Sequence, residues 1–526
     1  MRTTARSSAS LRPTLLAAGL ALALLNACPA LAASAGAATV SWQAAGADAD
    51  IDKAFAQART EKKPVLLYWG AKWCPPCNQL KATLFNRADF IEQSRAFVAV
   101  HIDGDLPGAQ KLGSRFKVRG YPTMILFSAD GNELTRLPGE ADAAQVMKVL
   151  QLGLAGGRPV KTVLAEARAG KKIAANDWKL LGFYSWETDE QQLVPQAERP
   201  ALLAQLAVNS QGTADAETTT RLWLKALAAS DEGKGLKPDA ALRERVARLL
   251  ANAGESRAQA DVLNYGAEDI VKTLSPEAGA ERSKLLASYD TALKRLEQDA
   301  TLSRMDRLQA LTARIKLARL DQAKTEIHPK MPAPLQKEAQ TLAERNDREI
   351  TDGYERQAVI TETAYMLGQA GLWKDSDALL KSSLGKSHSP YYLMSQLGGN
   401  AKKQGRADEA LRWYEEAFNK SEGPATRLQW GSNYFAALVE LAPNDAARIE
   451  KAASQLFKEA GEDKGSFHER SARSLKKVAT SLSSWNSLGQ YDAVLARLKG
   501  QLDSVCAKVE AADRATCTGL LKPAKG

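Results

Sequence analysis

The chain has 526 residues, a quarter of them charged, and its net charge of +10 is spread along the sequence rather than gathered in a basic block. That length exceeds what one hydrophobic core supports, so several domains are expected. The even charge fits solubility better than a nucleic-acid partner, and ordinary glycine, proline and aromatic contents exclude a fibrous or globally disordered chain.

Arg2, Arg6 and Arg12 precede the apolar run 15–25, and small residues follow to Ala30-Leu31-Ala32. This is the pattern of a secretory signal peptide over residues 1–32, which places the mature chain in the periplasm. The alternative is processing before Cys28, where Leu25-Asn26-Ala27-Cys28 resembles a bacterial lipoprotein site and would anchor the chain through that cysteine. No later run reaches 18 apolar residues, so a soluble exported protein is expected. Residues 33–48 are small and polar and read as a flexible leader.

Ile51, Ala54, Phe55 and Ala58 have helical spacing, and Glu61-Lys62-Lys63-Pro64 ends that helix. Residues 65–69 are continuously apolar, as a strand buried on both faces should be. Trp73-Cys74-Pro75-Pro76-Cys77 follows, then a helix carrying Leu80, Leu84 and Phe85 on one face. A second strand at 97–102, a turn at 103–108, a short helix at 109–116 and a third strand at 122–127 come next. Asp130-Gly131 is a hairpin turn into a strand at 133–137, and 141–152 is an amphipathic helix. The order αβαβαββα predicts a mixed sheet with covering helices.

Two cysteines separated by two residues, between a strand and a helix, read as a redox dithiol, with a structural bridge as the plainer alternative. At the helix N-terminus the thiolate of Cys74 is favoured by unsatisfied N–H groups and the helix field. Cys74 is therefore the expected exposed nucleophile, and Cys77, one turn later, the resolving thiol. Pro75 and Pro76 suit the first helical turn, where a missing N–H costs nothing. In an oxidising compartment Cys506 and Cys517 form a second credible disulfide, a C-terminal staple.

The stretch 49–153 resembles a thioredoxin fold through Trp73-Cys74-Pro75-Pro76-Cys77, Val118-Arg119-Gly120-Tyr121-Pro122-Thr123 and Gly139. Within that superfamily Lys63-Pro64-Val65, Thr83-Leu84-Phe85 and Asp89-Phe90 resemble the periplasmic domain of the thiol reductase DsbD and its soluble relatives. The resemblance implies a thiol-disulfide oxidoreductase with no cofactor beyond the Cys74–Cys77 disulfide. It makes Pro122 a cis-proline facing the dithiol, offers the backbone of Tyr121 to an extended substrate, and packs Trp73 beside the cysteines. It also implies protein substrates bearing thiols or disulfides, and a membrane thiol reductase as electron donor. One departure matters: where thioredoxins bury an acid six residues before the first cysteine, this chain has Tyr68, a poor proton acceptor near neutrality. His101 on the adjacent strand is the substitute candidate, while Lys72 and Arg119 are candidate positive charges near Cys74.

Residues 154–350 are rich in Ala, Leu, Glu, Lys and Arg with helical periodicity and read as an α-helical domain. The aromatic cluster at 176–186 is expected to dock this region on its neighbour. From 351 to 526 a helical repeat is expected: Gly371 and Gly405 lie 34 residues apart, each before a helix. Leu397, Gly398, Ala401, Ala410, Tyr414 and Ala417 fall where a tetratricopeptide repeat places its contact residues. Leu488-Gly489-Gln490-Tyr491 suggests a further helix pair. Histidines occur only at 101, 328, 388 and 468, without ligand spacing, so no metal is expected. The expected fold class is thus an α/β thioredoxin fold followed by an all-α, tetratricopeptide-like region. Two functions remain open: an oxidoreductase whose repeats bind a protein partner, or an interaction protein whose thioredoxin-like domain serves for docking.

Overall fold

Val65–Gly70 (β2) is buried along its whole length, and such a strand needs the centre of a sheet covered on both faces. The computed structural model describes residues 39–522 apart from 187, 190–192 and 232, and it supplies that cover. Val98–Asp103 (β3) pairs parallel with β2 on one side, and Thr123–Phe127 (β4) pairs antiparallel on the other. Glu133–Leu137 (β5) is antiparallel to β4, and Gln43–Ala44 (β1) extends the opposite edge beside β3. The sheet order is β1-β3-β2-β4-β5.

Alternation along β2 divides the core. Val65, Leu67 and Trp69 join the apolar side of Asp48–Glu61 (α1), while Leu66 and Tyr68 join Leu80 of Pro75–Thr83 (α2) and Phe90 of Ala88–Gln93 (α3). Ala109–Arg115 (α4) covers the first face, and Ala143–Leu154 (α5) completes the second.

β1 corrects one expectation, because from residue 39 onward the supposed leader belongs to the fold. Val40 and Ala45 are buried, and the Trp42 ring lies 5.6 Å from that of Tyr68 and 5.1 Å from that of Phe85. A single aromatic anchor among alanines leaves no periodic signal. The signal peptide, Cys28 and the leader up to residue 38 lie outside the described residues.

Beyond Val160–Arg168 (α6), Ala175–Gly182 (α7) and the residues after it do what the aromatic cluster predicts. Leu180 and Phe183 enter the core beside the sheet, whereas Trp178, Leu181, Tyr184 and Trp186 build the next one. Among the described residues, everything after this is helical or loop apart from isolated bridges. Gly371 and Gly405 take positive φ, at 76° and 72°, in the turns before helices Trp373–Ser383 and Ala407–Lys420, a conformation that glycine adopts without strain. A Cβ on Gly398 would stand 3.0 Å from the Tyr414 ring, so the small residue permits the close helix approach that its spacing suggested. Near the end, Glu469–Trp485 and Asp492–Cys506 pack chiefly on Pro424–Leu441 and Ala446–Ala460, respectively, rather than on each other. The Cys506–Cys517 disulfide, with Cα atoms 5.6 Å apart, is buried in that packing.

From Thr39 onward the chain is one compact unit. Buried clusters hold residues from both sides of 153/154, such as Leu150 with Leu180, and of 350/351, such as Leu342 with Ala358. Among the described residues no helix is long and apolar enough to cross a membrane.

Candidate redox site

Cys74 is the N-cap of α2, with Pro75 and Pro76 in the first turn, and its Sγ accepts a hydrogen bond from the Cys77 backbone N–H at 3.3 Å. The two cysteines form a disulfide with Cα atoms 5.3 Å apart. Asn78 holds the turn by donating to the carbonyls of Lys72 and Cys74, both at 2.8 Å. The Tyr121–Pro122 peptide is cis, and Tyr121 lines the same two cavities as Pro75 and Pro76. Gly139 lies against Pro122, since a Cβ there would sit 3.0 Å from the proline ring. Of the sequence candidates, Trp73, Cys74, Cys77, Tyr121 and Pro122 are thus brought together.

Their surroundings overturn the expectation of an exposed nucleophile. Cys74 is only 2% exposed and Cys77 is fully buried, and both belong to an apolar cluster that includes Tyr391, Met394 and Trp430 of the helical region. Trp73 is engaged rather than open to a substrate. Its ring stacks on Tyr392 at 5.9 Å and meets Trp430 edge-on at 5.6 Å. Its Nε1–H is shared between Thr426 Oγ1 at 2.7 Å and Asp105 Oδ2 at 3.0 Å, and its carbonyl accepts from Gln357 at 3.1 Å. Arg470 pairs with Asp105 at 2.6 Å and lies over both the Trp73 and Tyr121 rings, 5.2 Å from each. The Tyr121 hydroxyl accepts from Gln110 at 2.7 Å. The helices form a roof over the dithiol.

Two cavities remain beneath that roof. One, of about 460 Å³, is lined by Cys74, Tyr121, Arg119, Arg473 and Lys477 among others. The second, of about 680 Å³, reaches Pro122 and Gly139 and carries the carboxyls of Asp306 and Glu362. Burial pushes Asp306 up to about 6, against the hydrogen bonds from Ser303, and Glu362 up to about 7, against Lys316 and Gln309. Lys72 lies to one side, 3.7 Å from Glu422, with both side chains largely exposed.

Tyr68 and His101 stack with ring centroids 4.9 Å apart. Burial, reinforced by Asp103, drives the Tyr68 phenol far above its ordinary range, so it stays protonated. Burial and the charge of Lys81 push His101 down to about 4. His101 is therefore neutral near pH 7 and a weak base, which counts against it as the substitute proton acceptor. A depressed histidine also has a stability signature: between its unfolded value near 6.5 and about 4, the unfolded chain binds a proton that the folded one does not. Stability should fall as pH drops through that window, by on the order of 2 kcal/mol after allowance for partial exposure. Denaturant midpoints of wild type and His101→Phe across that range should diverge; parallel curves would exclude this coupling.

The roof residues Gln357, Tyr392, Thr426, Trp430 and Arg470, and Asp105 opposite them, were not foreseen. They lie hundreds of residues from the dithiol in sequence, apart from Asp105, and no motif ties them to it.

A mixed α/β domain with a Cys-x-x-Cys disulfide capping a helix and a cis-proline peptide beside it defines a thioredoxin-like domain with a candidate redox centre, followed in this chain by a long all-α region. The family described as "thioredoxin-like domain" matches residues 51–153. The thiol:disulfide interchange protein DsbD 1 of Pseudomonas aeruginosa is 31% identical over 114 residues, which are 21% of this chain and 19% of that protein. The DsbD of Pseudomonas fluorescens is 33% identical over 99 residues, 18% of this chain and 17% of that protein. The chain thus spans about a fifth of the length of the curated relatives it matches. A solved structure of a DsbH oxidoreductase aligns over 23% of this chain and 88% of its own at 20% identity, with a TM-score of 0.20.

Proposed function

We propose that this protein is a periplasmic thiol-disulfide oxidoreductase that reduces or isomerises disulfides in exported proteins. The observation that carries the reading is the Cys74–Cys77 disulfide at the N-terminus of α2, with Cys74 lining a cavity beside Tyr121. Cys74 attacks the substrate disulfide and Cys77 resolves the mixed disulfide, while the cis peptide before Pro122 presents the Tyr121 backbone to the substrate. The helical region, read as tetratricopeptide-like repeats, binds a protein partner, and a membrane thiol reductase supplies electrons.

The test is a Cys77→Ser variant, which should accumulate mixed disulfides through Cys74 that a Cys74→Ser, Cys77→Ser double variant does not form. Failure to trap or exchange any disulfide would reject the oxidoreductase reading. A second reading is favoured by the burial of Cys74 and the engagement of Trp73: a scaffold in which the thioredoxin-like domain serves for docking. It requires the double variant to retain partner binding and cellular function.

A further inference from the structure

The roof restricts what can reach the nucleophile, and the way in has a sign. Cys74 lines the smaller cavity and is absent from the lining of the larger one. Four cationic side chains, Arg119, Arg470, Arg473 and Lys477, line the smaller cavity, and among the described residues no Asp or Glu lines it. Two of them have acidic partners outside that lining, Arg470 with Asp105 and Arg473 with Glu469 at 3.2 Å, and Arg473 also donates to the Arg119 backbone carbonyl at 2.7 Å. Lys477 is different, because its Nζ donates to the neutral amide oxygen of Asn433 at 2.7 Å. Its side chain is exposed at the edge of the cavity, while the partial desolvation of the ammonium by its neighbours, reinforced by the charge of Lys402, lowers its pKa. An anion beside that ammonium would gain a charge-assisted hydrogen bond that the neutral amide does not supply. Ser432, Asn433 and Ser474 complete a polar wall able to bind carboxylates. The larger cavity, with Glu362 and Asp306, favours the opposite charge.

We infer that the disulfide reaching Cys74 belongs to an acidic, extended peptide segment whose carboxylates are held by Lys477 and its neighbours in the smaller cavity. This rests on the oxidoreductase reading and names the substrate class of the same site. A cavity of about 460 Å³ is of a size to take a few residues of chain rather than a folded surface. In each turnover the Cys74 thiolate bonds to one sulfur of the peptide disulfide, the peptide S–S bond breaks, and the first peptide leaves as a thiolate protonated by solvent. Cys77, after losing its proton, bonds to Cys74 and releases the second peptide thiolate. Two electrons pass from the enzyme dithiol to the peptide disulfide.

The experiment uses the full chain, reduced beforehand with dithiothreitol and freed of it. It is mixed with the symmetrical disulfides of three blocked tripeptides, Asp-Cys-Asp, Asn-Cys-Asn and Lys-Cys-Lys. Rates corrected for the exchange of each peptide with a free dithiol should order acidic above neutral above basic. The acidic to basic ratio should be about tenfold or more at low salt and should shrink as salt rises. Lys477→Gln should lower the acidic to neutral ratio about two- to fivefold, and Lys477→Glu should lower it further. Equal rates overturn the inference and leave the oxidoreductase reading standing. A basic preference overturns it and directs attention to the larger cavity. An acidic preference untouched by both Lys477 variants removes the assignment to this cavity. Absence of exchange with all three peptides rejects the oxidoreductase reading and the inference with it.

Discussion

Asp261→Ala should unfold with a free energy about 3–5 kcal/mol lower than wild type, the range for leaving a buried charge without its partner. The Arg221 side chain is fully buried and that of Asp261 is 3% exposed. The guanidinium grips the carboxylate with both terminal nitrogens, Nη1 to Oδ1 at 2.9 Å and Nη2 to Oδ2. Its Nε donates to the Gly182 carbonyl at 3.1 Å, and its Cζ lies 4.0 Å from the centre of the Phe183 ring. Phe183, with Leu180, carries the helical region into the core beside the sheet, so this ion pair stands behind that join. Removing the carboxylate takes the bidentate acceptor from the buried guanidinium and loosens that join.

The same pair carries a pH dependence. Burial pushes the Asp261 carboxyl up, but the charge and hydrogen bonds of Arg221, with Lys225 nearby, outweigh it and leave the group below the ordinary aspartate value. The stabilisation is therefore complete above the unfolded value near 4 and is lost as pH falls through the lower folded value. Urea denaturation at neutral pH and at about pH 3 should show the gap between wild type and Asp261→Ala narrowing with acid. A difference below about 1 kcal/mol at neutral pH would mean that the pair contributes no more than an exposed salt bridge.

How far the fold could be read from the sequence follows from which interactions are local. The continuous apolarity of β2, the Asp130-Gly131 turn and the helical spacing of α1 and α5 each depend on neighbours within a few residues, and each element is where its pattern places it. The dithiol, Tyr121 and Pro122 were legible because a short motif fixes their chemistry. The cluster at 176–186 was legible because six neighbouring apolar and aromatic residues must be buried somewhere, though not where. β1 was missed because two residues paired with β3 carry no periodicity of their own. The exposure of Cys74 was misjudged for another reason: a motif encodes its own turn but not what packs on it. The roof is assembled from Gln357, Tyr392, Thr426, Trp430 and Arg470, residues that look like ordinary helix-face or core positions until the chain is folded. Neutral His101 beside protonated Tyr68 likewise depends on burial, which spacing alone does not report.

Asp105→Ala should release the roof, raising the rate at which reduced Cys74 is alkylated by at least about tenfold and lowering stability by about 3 kcal/mol. Asp105 holds four groups together. It accepts from Trp73 Nε1 at 3.0 Å and from the Thr426 hydroxyl, pairs with Arg470 at 2.6 Å, and presses against Gly423 so closely that a Cβ there would stand 2.6 Å from its own. Gly423 is the N-cap of Pro424–Leu441, so the carboxylate also lies near the positive end of a helix dipole. The pair is nearly withdrawn from solvent, Arg470 being 11% and Asp105 13% exposed at the side chain. Its loss leaves Arg470 over two aromatic rings without a counter-charge. If alkylation requires a local opening, its rate follows the opening equilibrium, and each 1.4 kcal/mol removed from the closed state raises it about tenfold. The control is Asp215→Ala, which removes the cap that accepts from Thr218 N at 2.7 Å in a helix remote from the dithiol. It should cost about 1 kcal/mol and leave the alkylation rate of Cys74 unchanged. If Cys74 of the wild type already reacts as fast as a free thiol of the same pKa, the roof does not gate the site. The acidic-segment preference would then have to arise from the charges of the cavity alone, without gating by the roof.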